Sequence, residues 1–232
     1  MAKWTAFPHT GDYAFDAAST KKQWAKLHLN DAEPLPKDAA LLSAWALFHS
    51  GQFEQAAQAG QKLGGDGLTV AHKATCMYAT YLEKKEKTKL DLFMQVAQEA
   101  EARTQQEPGN ANAWYWQAYA LGRYSQGISV AKALAQGFGG KIKEALATTL
   151  KLQPKHADAH IAFGSYQAEV INKVGGIVAG LTYGAKKDSA IEHYETALKL
   201  FPESAITRIE YGNGLIMLFG KGRIADATKL YE

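Results

Sequence analysis

The stretch Ser189–Pro202, SAIEHYETALKLFP, carries the residue spacing that decides the fold of this chain. Ala190 and Tyr194 lie one helical turn apart and Ala197 follows one turn later, so the three side chains share one face of a helix. On that face the small residues let a neighbouring helix approach closely, and the aromatic ring fills the remaining gap. Pro202 ends the helix, because proline has no N–H group to donate within it. The pattern predicts one helix of a repeated antiparallel pair.

The first 37 residues differ from the rest of the chain in composition. Aromatic residues are scattered there among prolines and a glycine, and one short helix is predicted from Ser19 to His28, with Ser19 or Thr20 as its N-cap. So many aromatic residues are unusual for a disordered tail. We therefore predict that residues 1–37 form an irregular N-terminal cap that packs onto the helices after it.

After the predicted cap, the helical period is continuous and divides into about five helix pairs. The first pair turns at Ser50-Gly51 and ends at Gly64-Gly65, because glycine favours the end of a helix. The second pair is predicted over residues 69–83 and 89–105. Residues 38–232 are therefore predicted to form one helical repeat domain, a solenoid in which each pair packs on its neighbours.

The third and fourth pairs carry glycine-rich, apolar insertions between their first and second helices. These insertions are residues 127–140, GISVAKALAQGFGG, and residues 172–187, NKVGGIVAGLTYGAKK, and the helix after the first one is predicted from Lys141 to Leu152. The glycines would allow close packing of lengthened helices. Alternatively, the apolar side chains form an edge that covers a peptide, a lipid-like molecule or a membrane surface. Those side chains are Ile128, Val130, Leu134, Ile177, Val178 and Leu181.

The residues from Trp114 onward resemble tetratricopeptide repeats (TPR). Trp114, Ala118 and Leu121 fall where the W-x-x-L-G-x-x-Y pattern of that repeat has a bulky, a small and a bulky residue. The phrase GAKKDSAIEHYETALKLFPES and the two insertions are similar to the TPR-like proteins grouped with regulators of microtubule dynamics. They are more distantly similar to the TPR component of bacterial TRAP transporters. The resemblance implies an all-α fold, a right-handed superhelix of antiparallel helix pairs whose concave face, lined by the first helices, holds a protein or peptide segment.

Side chains on the first helices are the candidates for that concave groove. Tyr115, Tyr119 and Arg123 recur at i, i+4 and i+8, so they share one stripe of a helix. Tyrosine and arginine are enriched at protein interfaces, but interior packing between repeats would use the same residues. The predicted partner-binding residues are Trp45, His49, Asn112, Tyr115, Tyr119, Arg123 and Asn213. The lysines with which the best-known TPR variant clamps a C-terminal carboxylate are missing, so chaperone binding is not expected.

Composition argues against several classes of protein. The chain has 26 Lys and Arg against 23 Asp and Glu, and a net charge of +3 is too small and too dispersed for nucleic-acid binding. Cys76 is the only cysteine, so no intramolecular disulfide forms, and we expect it to be a small buried residue. No window approaches the roughly 18 to 20 apolar residues of a membrane span. The N-terminus lacks an apolar run of signal-peptide length, so we expect a cytoplasmic protein, or a periplasmic one if a signal segment has been removed.

No set of residues in the sequence predicts catalysis. His156 and His160 have the i, i+4 spacing of a metal-binding pair, but a third ligand is absent nearby. The run GFGGKIKE, residues 137–144, is similar to a phosphate-binding loop only in its glycines, since no Ser or Thr follows Lys141. The sequence therefore predicts neither an enzyme nor a metal site, and no cofactor.

The leading hypothesis from the sequence is a non-enzymatic TPR-like scaffold or adaptor that binds a protein or peptide in its groove. The similarity to the TRAP transporter component suggests an alternative, a carrier of a small apolar ligand held where the insertions meet the groove. A third hypothesis follows from the last helix pair, because the chain stops inside its second helix without a polar capping element. A homo-oligomer that assembles through this bare repeat would cover the exposed face.

Replacing Ala190 with leucine tests the predicted register. If Ala190 faces the neighbouring helix, the larger side chain overpacks that contact, and the free energy of unfolding falls by on the order of 1–3 kcal/mol. Urea denaturation followed by circular dichroism measures the change. A variant as stable as the parent chain would show that the register is wrong.

Overall fold

The computed structural model describes residues 4–9 and 11–232. Helices are the regular secondary structure throughout these ranges, and none of the residues in them belongs to a strand, which confirms the predicted all-α class. The same ranges contain no helix with both the length and the apolar composition that spanning a bilayer requires. The α-helices are α1 (Ala17–Leu27), α2 (Ala39–His49), α3 (Phe53–Leu63), α4 (Gly67–Tyr81), α5 (Glu86–Gln106), α6 (Ala111–Gln126), α7 (Val130–Ala135), α8 (Phe138–Leu152), α9 (Ala157–Val174), α10 (Gly176–Val178), α11 (Lys187–Leu200), α12 (Ala205–Phe219) and α13 (Ile224–Tyr231).

Helix α1 begins two residues earlier than the sequence predicts, at Ala17 instead of Ser19, and its N-cap is Asp16. The Ser19 backbone N–H donates to Asp16 Oδ1 (2.7 Å), and the Asp16 backbone N–H donates to Ser19 Oγ (2.9 Å). This reciprocal pair satisfies N–H groups at the helix start that would otherwise lack partners. The predicted N-caps were wrong because a carboxylate one turn upstream takes this role, while the side chain of Thr20 is fully buried.

The chain forms two compact units, and the first comprises the described residues up to His28 together with Glu33–Ile128. It contains α1 to α6, and each of these helices packs against the next one along the chain. The predicted turn at Ser50-Gly51 is present between α2 and α3. There Gly51 has a φ of +74° and lies directly against the ring of Phe7, so a side chain would be both strained and obstructed.

Two tryptophans form the centre of the first unit's core. Trp24 of α1 meets Trp45 of α2 edge to face, with ring centroids 5.7 Å apart, and both side chains are buried. The indole N–H of Trp24 donates to the backbone oxygen of Glu33 (2.9 Å). Small and branched residues of α2, α3 and α4, including Ala56 and Val70, complete the cluster. Helix α1 therefore shares one core with α2, α3 and α4, whereas the boundary at residue 37 between a cap and an array stays a prediction.

A buried arginine joins α4 to α5. Arg103 is almost fully buried, and its Nη1 donates to Thr69 Oγ1 (2.7 Å). Its Nη2 lies 3.2 Å from Asp66 Oδ1 and 3.1 Å from Glu107 Oε2. A buried cation is tolerated only with partners of this kind, because it has lost its hydration. Removing a single partner would leave that charge poorly compensated.

The only cysteine is inert by position. Cys76 lies on α4 with its side chain fully buried, and that burial raises the pKa of its thiol, since a thiolate would lose its hydration there. A reactive cysteine needs an accessible thiolate. The expectation of a small buried residue is therefore confirmed.

The second unit comprises Leu29–Ala32 and Ser129–Glu232 and contains α7 to α13. Helix α9 is its centre, since it packs against α8, α11 and α12. The stretch Ser189–Pro202 lies mostly in α11, and its predicted inward face is fully buried at Ala190, Tyr194 and Ala197. The helix predicted from Lys141 begins earlier, at Phe138, so the end of the first insertion is already helical.

The ring of Tyr194 fills a gap between α9 and α12. A Cβ atom on Gly164 of α9 would lie 3.0 Å from the ring, and one on Gly214 of α12 would lie 2.6 Å from it. Tyr211 stacks on the same ring with centroids 5.0 Å apart, and the Tyr194 hydroxyl donates to Ser165 Oγ (3.0 Å). Three helices are therefore fixed around one aromatic side chain.

Replacing Gly214 with alanine tests this contact. The added methyl group would displace the Tyr194 ring, so we expect the free energy of unfolding to fall by about 1–3 kcal/mol. Gly140 of α8 is the matched control, because nothing lies within 4 Å of a Cβ built there. Its replacement by alanine should leave stability unchanged or raise it by up to about 1 kcal/mol. Equal urea midpoints for the two variants would contradict the proposed contact.

Candidate functional site

Helices α2, α4 and α6 adjoin in the first unit, where α4 packs against both α2 and α6. The predicted partner-binding residues of this unit lie on α2 and α6, and Asn213 lies on α12 of the second unit. Asn213 is half-buried, and its Oδ1 accepts a hydrogen bond from the hydroxyl of Tyr231 (2.9 Å).

On α2, the predicted residue Trp45 lies in the interior of the first unit. Its side chain is fully buried, and its ring lies at a right angle to His28 with centroids 4.6 Å apart. The ammonium group of Lys73 on α4 lies 5.6 Å from the Trp45 ring centroid, a cation–π contact that joins the two helices. His49, one turn further along, is half-buried, and its Nε2 lies 3.1 Å from Nε2 of His28. Of the two predicted residues, only His49 reaches the surface.

On α6, Asn112 and Tyr115 are also buried. The Asn112 amide donates to Glu33 Oε2 (2.5 Å). The Tyr115 ring packs edge to face against Trp116, with centroids 5.0 Å apart. Asn112 therefore joins α6 to the segment after α1, and neither side chain is accessible to a partner.

The other two predicted residues of α6 reach the surface and meet residues of α4. Tyr119 and Arg123 are half-buried, and the guanidinium carbon of Arg123 lies 5.2 Å from the Tyr119 ring centroid. The Tyr119 hydroxyl is 3.0 Å from Thr80 Oγ1, and the adjacent Tyr81 side chain is 63% exposed. We call Thr80, Tyr81, Tyr119 and Arg123 the tyrosine–arginine cluster.

The cluster joins a fixed cation to aromatic surfaces. Burial raises the pKa of Tyr119 to about 12 against the opposing effect of Arg123, so its phenol is neutral at physiological pH. Arg123 Nη1 donates to Gln126 Oε1 (3.2 Å), which adds a second restraint on the guanidinium group. A planar guanidinium beside aromatic rings suits a carboxylate or backbone oxygen next to an apolar side chain.

Sequence reasoning misses the contribution of α4. Lys73 and Tyr81 are eight residues apart, the same spacing that relates Tyr115 to Arg123, so both helices carry a stripe of the same kind. The repeat register of the second helix pair is loose in the sequence, and the stripe on α4 is therefore not evident there. The eight-residue spacing between Lys73 and Tyr81 is the sequence signal that would have identified Tyr81 as a candidate surface residue.

Two histidines face each other in the second unit. Nδ1 of His160 on α9 lies 2.9 Å from Nδ1 of His193 on α11, and His160 Nε2 lies 3.0 Å from the backbone oxygen of Pro154. The carbonyl group favours a proton on His160 Nε2, so His193 donates through Nδ1. His156, which the spacing pairs with His160, caps α9 instead, since its Nδ1 accepts from the Ala159 N–H (3.1 Å). Across residues 4–9 and 11–232, no three His, Cys, Asp or Glu side chains are grouped as metal ligands.

The histidine pair predicts a pH dependence of stability. Burial first, and then the neighbouring His160, lower the pKa of His193 to about 4, and burial also lowers the pKa of His160. Between about pH 6.5 and pH 4 the unfolded chain therefore binds protons that the folded chain does not, and the free energy of unfolding falls as the pH falls. Urea midpoints across this range should decrease less in His193→Gln than in the parent. His9→Gln, at an exposed imidazole, is the control, and equal slopes for all three chains would contradict the prediction.

Comparison with known proteins identifies a family over more than half of the chain. Residues 55–213 match the family described as Regulator of microtubule dynamics protein 1-3. The matched segment includes the tyrosine–arginine cluster, both glycine-rich insertions and Tyr194 with Gly164, and it ends one residue before Gly214. A comparison with curated proteins gave no match. On the evidence of the matched segment, this chain belongs to the Regulator of microtubule dynamics protein 1-3 family.

Proposed function

We propose that this chain is a non-enzymatic helical scaffold, an adaptor that binds a protein or peptide segment through the tyrosine–arginine cluster. The observation that carries the proposal is the Arg123 guanidinium over the Tyr119 ring, together with the exposed Tyr81 that follows Thr80 in the chain. Tyrosine and arginine are among the residues that contribute most to binding at protein interfaces.

The restraints on the cluster favour binding energetically. Tyr119 is held by Thr80, and Arg123 by the Tyr119 ring and by Gln126. Side chains that are already ordered lose less conformational entropy when a partner binds. The buried ring of Tyr115 beneath them provides a firm support. A peptide with a carboxylate next to an apolar side chain fits this arrangement.

The adjacency of α2, α4 and α6 supports a binding face lined by the first helices of a TPR-like array. We infer from the family's description that the partner is a protein of the microtubule system. A cytoplasmic location belongs to the same proposal. The superhelix, a small apolar ligand and a homo-oligomer stay predictions, because no contact described above bears on them.

Co-sedimentation with polymerised tubulin tests the proposal. The parent chain should pellet with the polymer in a saturable manner. In the double variant Tyr119→Ala, Arg123→Ala, the affinity should fall about tenfold or more, because the side chains that contact the partner are removed. Circular dichroism melting shows whether the variant is still folded.

The matched control is the double variant Tyr13→Ala, Arg208→Ala, which removes the same two residue types from exposed positions elsewhere. It should bind like the parent chain. If the parent does not pellet with the polymer, the inferred partner is wrong. If both double variants bind equally, the cluster is not the contact.

A further inference from the structure

The two glycine-rich insertions meet in the second unit. The ring of Tyr183 lies against Gly139, where a Cβ atom would be 2.7 Å from Tyr183 Cε1. On the other side of this contact, Lys143 Nζ would lie 3.0 Å from a Cβ atom on Gly184. Residues 129–143 and 170–187 therefore form one continuous region, which we call the insertion surface.

The insertion surface carries an apolar tip. Ile177 and Leu181 are 81% and 86% exposed, and they lie one turn apart on the segment formed by α10 and the π-helical turn Ala179–Tyr183. Val178 beside them is also exposed, whereas Ala179 is fully buried and attaches the segment to the rest of the unit. Single exposed apolar residues are common, but three within five residues form a ridge with no cover in the folded chain.

Glycines define the two ends of this tip. Gly175 has a φ of +79° and Gly184 a φ of +64°, a backbone conformation that other residues rarely adopt. The long helix α9 stops at the first glycine, and the chain turns again at the second before α11 begins. The tip is therefore a short helical segment bounded by two glycine turns.

Lysines are abundant in the insertion surface, and the acidic residues Glu144, Glu169 and Asp188 lie directly beyond its ends. Residues 129–143 and 170–187 contain six lysines and no Asp or Glu, although the whole chain is nearly balanced at 26 basic and 23 acidic residues. All six are exposed: Lys132, Lys141, Lys143, Lys173, Lys186 and Lys187. The insertion surface thus carries a local excess of positive charge, although Lys173 is paired with Glu169 and Lys187 Nζ donates to the backbone oxygen of Leu218.

We propose that the insertion surface docks this protein on an anionic lipid bilayer. Ile177 and Leu181 enter the boundary between headgroups and acyl chains, and exposed lysines of the insertion surface such as Lys143 and Lys186 contact anionic headgroups. Each contribution is weak alone, and a peripheral protein binds stably when apolar insertion and a basic patch act together. A bilayer is favoured over a folded partner because lipids adapt around highly exposed apolar side chains and anionic headgroups complement the lysines, whereas a protein would need a matching pocket.

Vesicle flotation tests the proposal. The parent chain should float with vesicles of phosphatidylcholine containing about 30 mol% phosphatidylserine and much less with phosphatidylcholine alone, and binding should weaken as salt screens the lysines. The variant Ile177→Ser, Leu181→Ser should lose about tenfold or more in partition coefficient. The variant Lys143→Gln, Lys186→Gln should lose about fivefold for each lysine removed.

The matched control is Ile209→Ser, Ile216→Ser, which removes two apolar side chains of α12 that are 45% and 43% exposed. This control should float like the parent chain.

Failure of the parent to float with anionic vesicles, or equal flotation of the tip variant, would overturn the proposal. A third outcome would also overturn it: the parent chain forms a concentration-dependent oligomer but does not bind vesicles, and the tip variant does not form that oligomer. A second copy of the chain would then cover the tip. Tubulin binding by the tip variant should be unchanged, so the two proposals fail separately.

Discussion

The second unit depends on one steric fit, the ring of Tyr194 between helices whose facing residues are glycines. The helices around this ring are close enough that a methyl group on Gly164 or Gly214 would meet it. Helix α12 repeats the solution on its other side, where the ring of Tyr231 lies against Gly212. A large ring opposite a missing side chain sets both the distance and the axial position of two helices, because close-packed interiors do not tolerate a shift. The second insertion connects α9 to α11, two of the helices that meet at this ring.

Local physics explains how much of the fold is readable from the sequence. Small and aromatic residues at helical spacing predict the buried face of α11 correctly, since helix packing requires both. Glycines and prolines predict most helix ends, because their backbone preferences are local. The start of α1 was predicted wrongly because both Asp16 and Ser19 are residue types that cap helices, and the N-cap is Asp16. The division into two units depends on the sum of contacts over the whole chain, and no single segment encodes it.

The candidate site shows the same limit. The i, i+4, i+8 spacing places Tyr115, Tyr119 and Arg123 on one stripe of α6, but it does not give the depth of each side chain. Neighbouring elements decide that depth: α1 covers Trp45, and the segment after α1 supplies the partner of Asn112. Tyr81 was missed for the converse reason, because its exposure beside Tyr119 is a property of two packed helices.

The burial of Cys76 has a practical consequence for spectroscopy. The single native thiol, on α4, is fully buried, and reagents that require an accessible thiolate will not reach it. Labelling experiments therefore do not need a variant from which Cys76 has been removed. A cysteine introduced at any exposed position then becomes the one site that accepts a fluorophore or a spin label. Local polarity and immersion depth can be read residue by residue from the otherwise unmodified protein.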